Sequence, residues 1–230
     1  MQPIDLKTAE ELIDFSGGKS DLKLLASQQL EGAVALHNML AQQGIAYLAD
    51  EVGMGKTYIA LGVVALMRRF KPDLRVLYLL PKNNVRDKWE KDYKSFVALN
   101  YKACDFFVKG LGDRPAVKYV VSASLPSFIN SIATDSARDH LICTSAFSFS
   151  LGNTVDDLKA SLKSFVNLLP QNRDQAEKIA RKLEGTVTES ARKTIKDEVK
   201  ACWASALNAI MPSFDLVIVD EAHNLRKSRD

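Results

Sequence analysis

Apolar positions along the chain recur at two spacings, and their alternation predicts the architecture. Leu22, Leu25, Leu30, Val34, Leu36 and Leu40 step at helical spacing, with Gln29 among them, and Gly44 closes that helix. Residues 45–49 read as a short apolar strand, followed by a glycine loop. A helix is predicted from about residue 56 to 70, broken by Lys71-Pro72. Residues 75–80 form a second apolar strand, stopped by Pro81, and residues 85–96 an amphipathic helix. Residues 106–108, 117–121, 140–144 and 214–219 are further strand candidates. Strands alternating with helices imply crossover units and a parallel sheet. Strands that are apolar throughout imply a sheet covered on both faces.

Residues 151–211 break this rhythm. They contain no strand run and are dense in Lys, Glu, Ala and Asp. Ala176, Ile179, Leu183, Val187, Ala191, Ile195, Val199, Trp203, Leu207 and Ile210 step by three or four residues. That is one apolar stripe on helices, interrupted near Gly185. The expected fold is therefore α/β, with a mainly parallel sheet, N-terminal helices over residues 1–44 and a helical insertion at about 151–211.

Composition narrows the function classes. With 230 residues, 47% hydrophobic and 26% charged, the chain is a folded globular protein and not a collagen, a disordered chain or a disulfide scaffold. The net charge of +3 does not mark a nucleic-acid binder by itself, so any basic site must be a local patch. Cys104, Cys143 and Cys202 lack metal-ligand spacing and read as reduced thiols of a cytosolic protein. No targeting segment or membrane span is visible, so a cytoplasmic location, or a nuclear one in a eukaryotic cell, is expected.

The chemistry concentrates at two places. Asp50-Glu51-Val52-Gly53-Met54-Gly55-Lys56-Thr57 lies between a predicted strand and a predicted helix, the setting a phosphate-binding loop requires. Gly53 and Gly55 let backbone N–H groups turn toward phosphate oxygens, and the helix N-terminus adds positive potential. Lys56 can reach the β- and γ-phosphates, and Thr57 can place its hydroxyl on Mg²⁺. Met54 and Tyr58 flank these groups. A strict phosphate-loop pattern has Gly where Asp50 stands. Downstream, an apolar strand runs directly into Asp220-Glu221-Ala222-His223. Charge at the end of a buried strand needs a partner, and at the carboxyl edge of a parallel sheet a metal–ligand complex supplies one. Asp220 suits a Mg²⁺ ligand, and Glu221 suits the group that orients and deprotonates an attacking water.

These segments together resemble the Swi/Snf-like ATPases of helicase superfamily two. In that family Asp commonly occupies the first loop position, as Asp50 does here. Residues 220–227 resemble its DEAH-type motif. The segment Leu25-Ala26-Ser27-Gln28-Gln29-Leu30-Glu31-Gly32 resembles the one whose glutamine reads adenine, which implies Gln29, with Gln28 as the competing choice. Residues 76–81, continuing to Trp89-Glu90-Lys91, resemble a segment that touches the DNA backbone. Lys82 and Asn83 would then face phosphates, and Thr144 and Ser145 resemble a second contact of that kind. Ordinary helix caps account for the same residues. Trp89 reads as a packing residue.

The resemblance implies a three-layer RecA-like ATP-binding lobe over residues 45–230, using ATP and Mg²⁺, in a motor that moves on duplex nucleic acid, most simply DNA. In that family a second RecA-like lobe supplies arginine fingers, so the chain is expected to be a truncated fragment with little turnover alone. The insertion is a candidate surface for a protein partner. An alternative is a non-catalytic nucleic-acid or protein adaptor on the same lobe, with a basic face formed by Lys178, Arg181, Lys182, Arg192, Lys193, Lys196 and Lys200. A helicase that unwinds, or one directed to RNA, shares the same letters.

Overall fold

Among the described residues, four strands pair in the order β2-β3-β1-β4, all parallel: β1 (Val76–Leu80), β2 (Tyr119–Ser122), β3 (Asp139–Cys143) and β4 (Leu216–Val219). Val76 is in register with Asp139 on one side and Leu216 on the other, and Tyr119 pairs with Asp139. The computed structural model describes residues 2–49, 55–102, 119–134, 138–147 and 151–222. The predicted strand at 106–108, and Cys104, lie outside the described residues. The strand candidate at 117–121 is met by β2, of which Tyr119 onward is described.

Alternation along the strands sends side chains to two cores. Val76, Tyr78 and Leu80 of β1 face one side, where α1 (Leu6–Leu12), α2 (Lys23–Gln43), α3 (Lys56–Phe70) and α4 (Asn83–Leu99) pack. Leu77 and Ile142 face the other side, covered by α5 (Leu125–Ala133), α6 (Val155–Leu168), α7 (Arg173–Arg181) and α8 (Glu189–Ile210). Helices on both faces explain why the strands are apolar throughout. The result is the three-layer α/β arrangement expected of a RecA-like domain.

The helical stretch predicted as an insertion is thus one wall of the sheet. Its stripe is realised on α7 and α8: Ala176, Ile179, Ile195, Val199 and Trp203 are buried, and the break at Gly185 falls between the helices. Ala191 departs from the stripe and is exposed. Thr154 and Asp157 start α6 with a reciprocal capping box, Thr154 Oγ1 accepting from Asp157 N at 3.1 Å and Asp157 Oδ2 from Thr154 N at 3.0 Å.

One predicted strand is absent. Residues 45–49 pair with no strand, and Ile45 and Tyr47 are 72% and 76% exposed. Alternating apolar residues give a segment the propensity for a strand, but the ladder needs a neighbour to take its N–H and C=O groups. Gly44 closes α2 in the left-handed region at φ 71°. Leu48 alone among the large side chains there packs against the core.

Candidate functional site

The parallel topology decides where chemistry gathers. All four strands end at one edge, so Pro81-Lys82-Asn83 after β1, Ser124 after β2, Thr144-Ser145 after β3 and Asp220-Glu221 after β4 share it. Helix α3 joins β1 through residues 71–75 and so runs antiparallel to it. Its N-terminus, with Lys56 and Thr57, therefore points to the same edge.

The phosphate-loop residues 50–54, Gly53 and Met54 among them, lie outside the described residues. Gly55 is described and sits in the left-handed region at φ 77° as the N-cap of α3, with no side chain capping the helix. The positive end of the α3 dipole lies at this terminus, a setting that suits a phosphate group. Lys56, Thr57 and Tyr58 are half-buried around that terminus. The Tyr58 ring meets Phe96 edge-on at 6.0 Å, and burial, followed by the charge of Asp92, raises its pKa.

Of the two glutamines weighed for adenine, Gln28 is exposed and Gln29 is 7% exposed. The Gln29 amide lies directly against Gly55, where a Cβ would collide with its nitrogen. Helix α2 thus delivers Gln29 to Gly55, at the N-terminus of α3.

Asp220 continues the β1 ladder, its N–H donating to Leu79 O at 3.0 Å. Its Oδ2 accepts from the indole Nε1–H of Trp89 at 2.8 Å. Carboxylate oxygens are the donor type Mg²⁺ prefers, and Oδ1 makes no hydrogen bond among the described residues. A carboxylate oxygen and a hydroxyl are donor types that fit a magnesium ion, and Asp220 and Thr57 would hold one. Glu221 adopts φ 54°, the left-handed region that non-glycine residues rarely enter, and no other described non-glycine residue does so. Sequence reasoning missed both features. Spacing gave Trp89 only as a packing residue, and no pattern of residue types signals a strained glutamate. His223 lies outside the described residues.

The proposed nucleic-acid residues are partly brought together. Asn83 and Ser145 line one hollow of about 430 Å³ with Ser124, Cys143 and Trp203, and the Cys143 thiol donates to Asn83 Oδ1 at 3.3 Å. Lys82 is exposed as the N-cap of α4, and Thr144 is half-buried at the end of β3. Ser124, which caps α5 through a reciprocal box with Ser127, was not singled out by sequence.

Three of the seven residues of the basic face weighed for an adaptor are engaged within their own layer. Lys182 pairs with Glu198 at 2.7 Å, while Lys196 and Arg192 donate to Asn153 at 2.6 and 3.2 Å. His37 and His140 are core residues, 0% and 2% exposed. Among the described residues, no His/Cys/Asp/Glu cluster with metal-binding geometry occurs, and no helix is long and apolar enough to cross a membrane.

Fold and edge together define an N-terminal RecA-like domain of helicase superfamily two, an ATP-binding, helicase-like lobe. Residues 21–229 match the family described as type III restriction enzyme, res subunit, and the chain belongs to that family. No curated protein and no solved structure matches the chain.

Proposed function

We propose that the chain is the ATP-binding lobe of a motor that moves along duplex nucleic acid, of the Swi/Snf-like, DEAH-type branch, with its nucleotide site at the carboxyl edge of the sheet. The observation that carries this reading is the placement of the α3 N-terminus at Gly55, the Gln29 amide against it and the Asp220 carboxylate at one edge of the sheet.

In this reading Gly53, Met54 and Gly55 wrap the phosphates, Lys56 neutralises their charge, and Gln29 pairs with the adenine edge. Bound Mg²⁺ would neutralise developing charge between the β- and γ-phosphates. Thr57 and Asp220 hold that ion. Glu221 orients the attacking water and takes its proton. Lys82, Asn83, Thr144 and Ser145 face the nucleic-acid backbone, which they position without reading sequence. A second RecA-like lobe completes the site with an arginine, a contribution worth about 10³–10⁵ in turnover. The nucleotide domain is residues 45–230, preceded by the helical segment 1–44.

The test is ATP binding and steady-state turnover by the chain, with and without duplex DNA, beside Lys56→Ala. Binding lost in Lys56→Ala supports the reading. Binding of equal strength in both overturns it.

A further inference from the structure

Trp89 is a strange residue to find against a candidate metal ligand. It lies on α4 and is 4% exposed, with its ring 5.6 Å from that of Tyr78 on β1 at 59°. Packing alone explains a large apolar side chain there. It does not explain the indole N–H, which is a donor only and must find an acceptor when buried. The acceptor is Asp220 Oδ2, at 2.8 Å.

We infer that Trp89 is a positioning residue that fixes the Asp220 carboxylate for cation binding. This role of Trp89 rests on the reading of Asp220 as the Mg²⁺ ligand. The Asp220 backbone is already set by its bond to Leu79 O, so the carboxylate retains rotation about its side-chain bonds. The Trp89 hydrogen bond removes that freedom. It is charge-assisted when the carboxylate is ionised, and it commits Oδ2, leaving Oδ1 for the metal. Tyr78 and the surrounding core hold the indole in place, so the rigidity of the core is passed to the ligand. Outer partners of metal ligands typically contribute about 10–100-fold to metal affinity or activity. The same contact makes Trp89 a reporter of the metal: a cation on Oδ1 withdraws charge from Oδ2 and weakens the acceptor.

The chain contains two tryptophans, Trp89 and Trp203. A ¹H–¹⁵N spectrum of the full chain therefore has two indole signals, and Trp203→Phe leaves the Trp89 signal alone. The inference expects Asp220→Ala to shift the Trp89 signal, and addition of Mg²⁺ with ATP to shift it in the otherwise unchanged chain. It further expects Trp89→Phe to reduce the gain in ATP affinity on going from EDTA to Mg²⁺ by about tenfold. Affinity in EDTA should stay within about twofold, an outcome that loss of packing alone would not give.

Should Trp89→Phe fail to fold, the Trp203→Phe spectrum decides. A Trp89 signal unmoved by Mg²⁺ and ATP, in a chain that binds ATP more tightly with Mg²⁺, overturns the inference alone. A full metal-dependent gain in Trp89→Phe does the same. Absence of ATP binding in both EDTA and Mg²⁺ overturns the nucleotide-site reading and the inference with it.

Discussion

Arg68 and Asp139 form an ion pair inside the protein, with 2% and 0% of the two residues exposed. The pair ties the last turn of α3 to the first residue of β3, at the edge of the sheet opposite the candidate site. Arg68 also donates to Leu74 O at 3.3 Å, and the Tyr93 hydroxyl donates to the second Asp139 oxygen at 2.7 Å. Removing one partner strands a buried charge, so Asp139→Ala should lose about 3–5 kcal/mol in urea unfolding. The double variant Arg68→Met/Asp139→Leu, which removes both charges, should lose distinctly less. Equal losses in the two would show that packing, and not the charge pair, sets the stability here.

Gly55 meets two constraints at once, a left-handed backbone and the Gln29 amide against its Cα. Gly55→Ala should cost about 1–2 kcal/mol in thermal unfolding from the backbone term alone. It should also displace Gln29 and weaken ATP binding. A variant with parental stability and parental affinity would place the loop elsewhere.

Gln29 and Gln28 make a matched pair for testing nucleotide choice. Gln29→Ala should reduce the preference for ATP over GTP by about tenfold, one hydrogen bond's worth. Gln28→Ala, on the exposed side of α2, should leave it unchanged. Competition between labelled ATP and unlabelled GTP measures both, and a reversed result would move the adenine reader by one residue.

His37 gives the fold a pH dependence of definite sign. Burial lowers its pKa below the ordinary 6.5, against a smaller opposing effect from the Asn38 side chain. The folded chain therefore keeps His37 neutral where the unfolded chain takes up a proton. Stability is full above about pH 6.5 and falls as the pH drops through 6.5 toward the lowered value. His37→Phe, which keeps a ring beside Phe70, should flatten the melting temperature between pH 7 and 5 relative to the parent. An unchanged slope would assign the dependence to other groups.

Local pattern made α3 legible to the residue: the helix predicted from about 56 to 70 is Lys56–Phe70. The stripe of α7 and α8 was equally plain, because a helix satisfies its own backbone and needs only one apolar face. Residues 45–49 failed for the converse reason. A strand depends on a partner that its own residues do not encode. The site divides in the same way. Lys56, Thr57, Asp220 and Glu221 stood out by residue type beside a turn or a strand end. The Trp89–Asp220 contact joins positions 131 apart and has no signature in spacing. The same is true of Arg68, which reads as a basic residue ending a helix and is instead buried against Asp139.

The register of β4 has a consequence for how the protein comes into being. Val76 pairs with Leu216, so the last strand closes on a neighbour 140 positions earlier, 216 minus 76. Pairings this distant in the chain are slow to form. During synthesis, β1 must wait on the ribosome until both helical walls have been translated before its second edge is filled. Asp220 arrives with that strand, so a partly made chain has Trp89 without the carboxylate it holds. Chain growth itself thereby delays the meeting of Asp220 with Trp89 until β4 has been made.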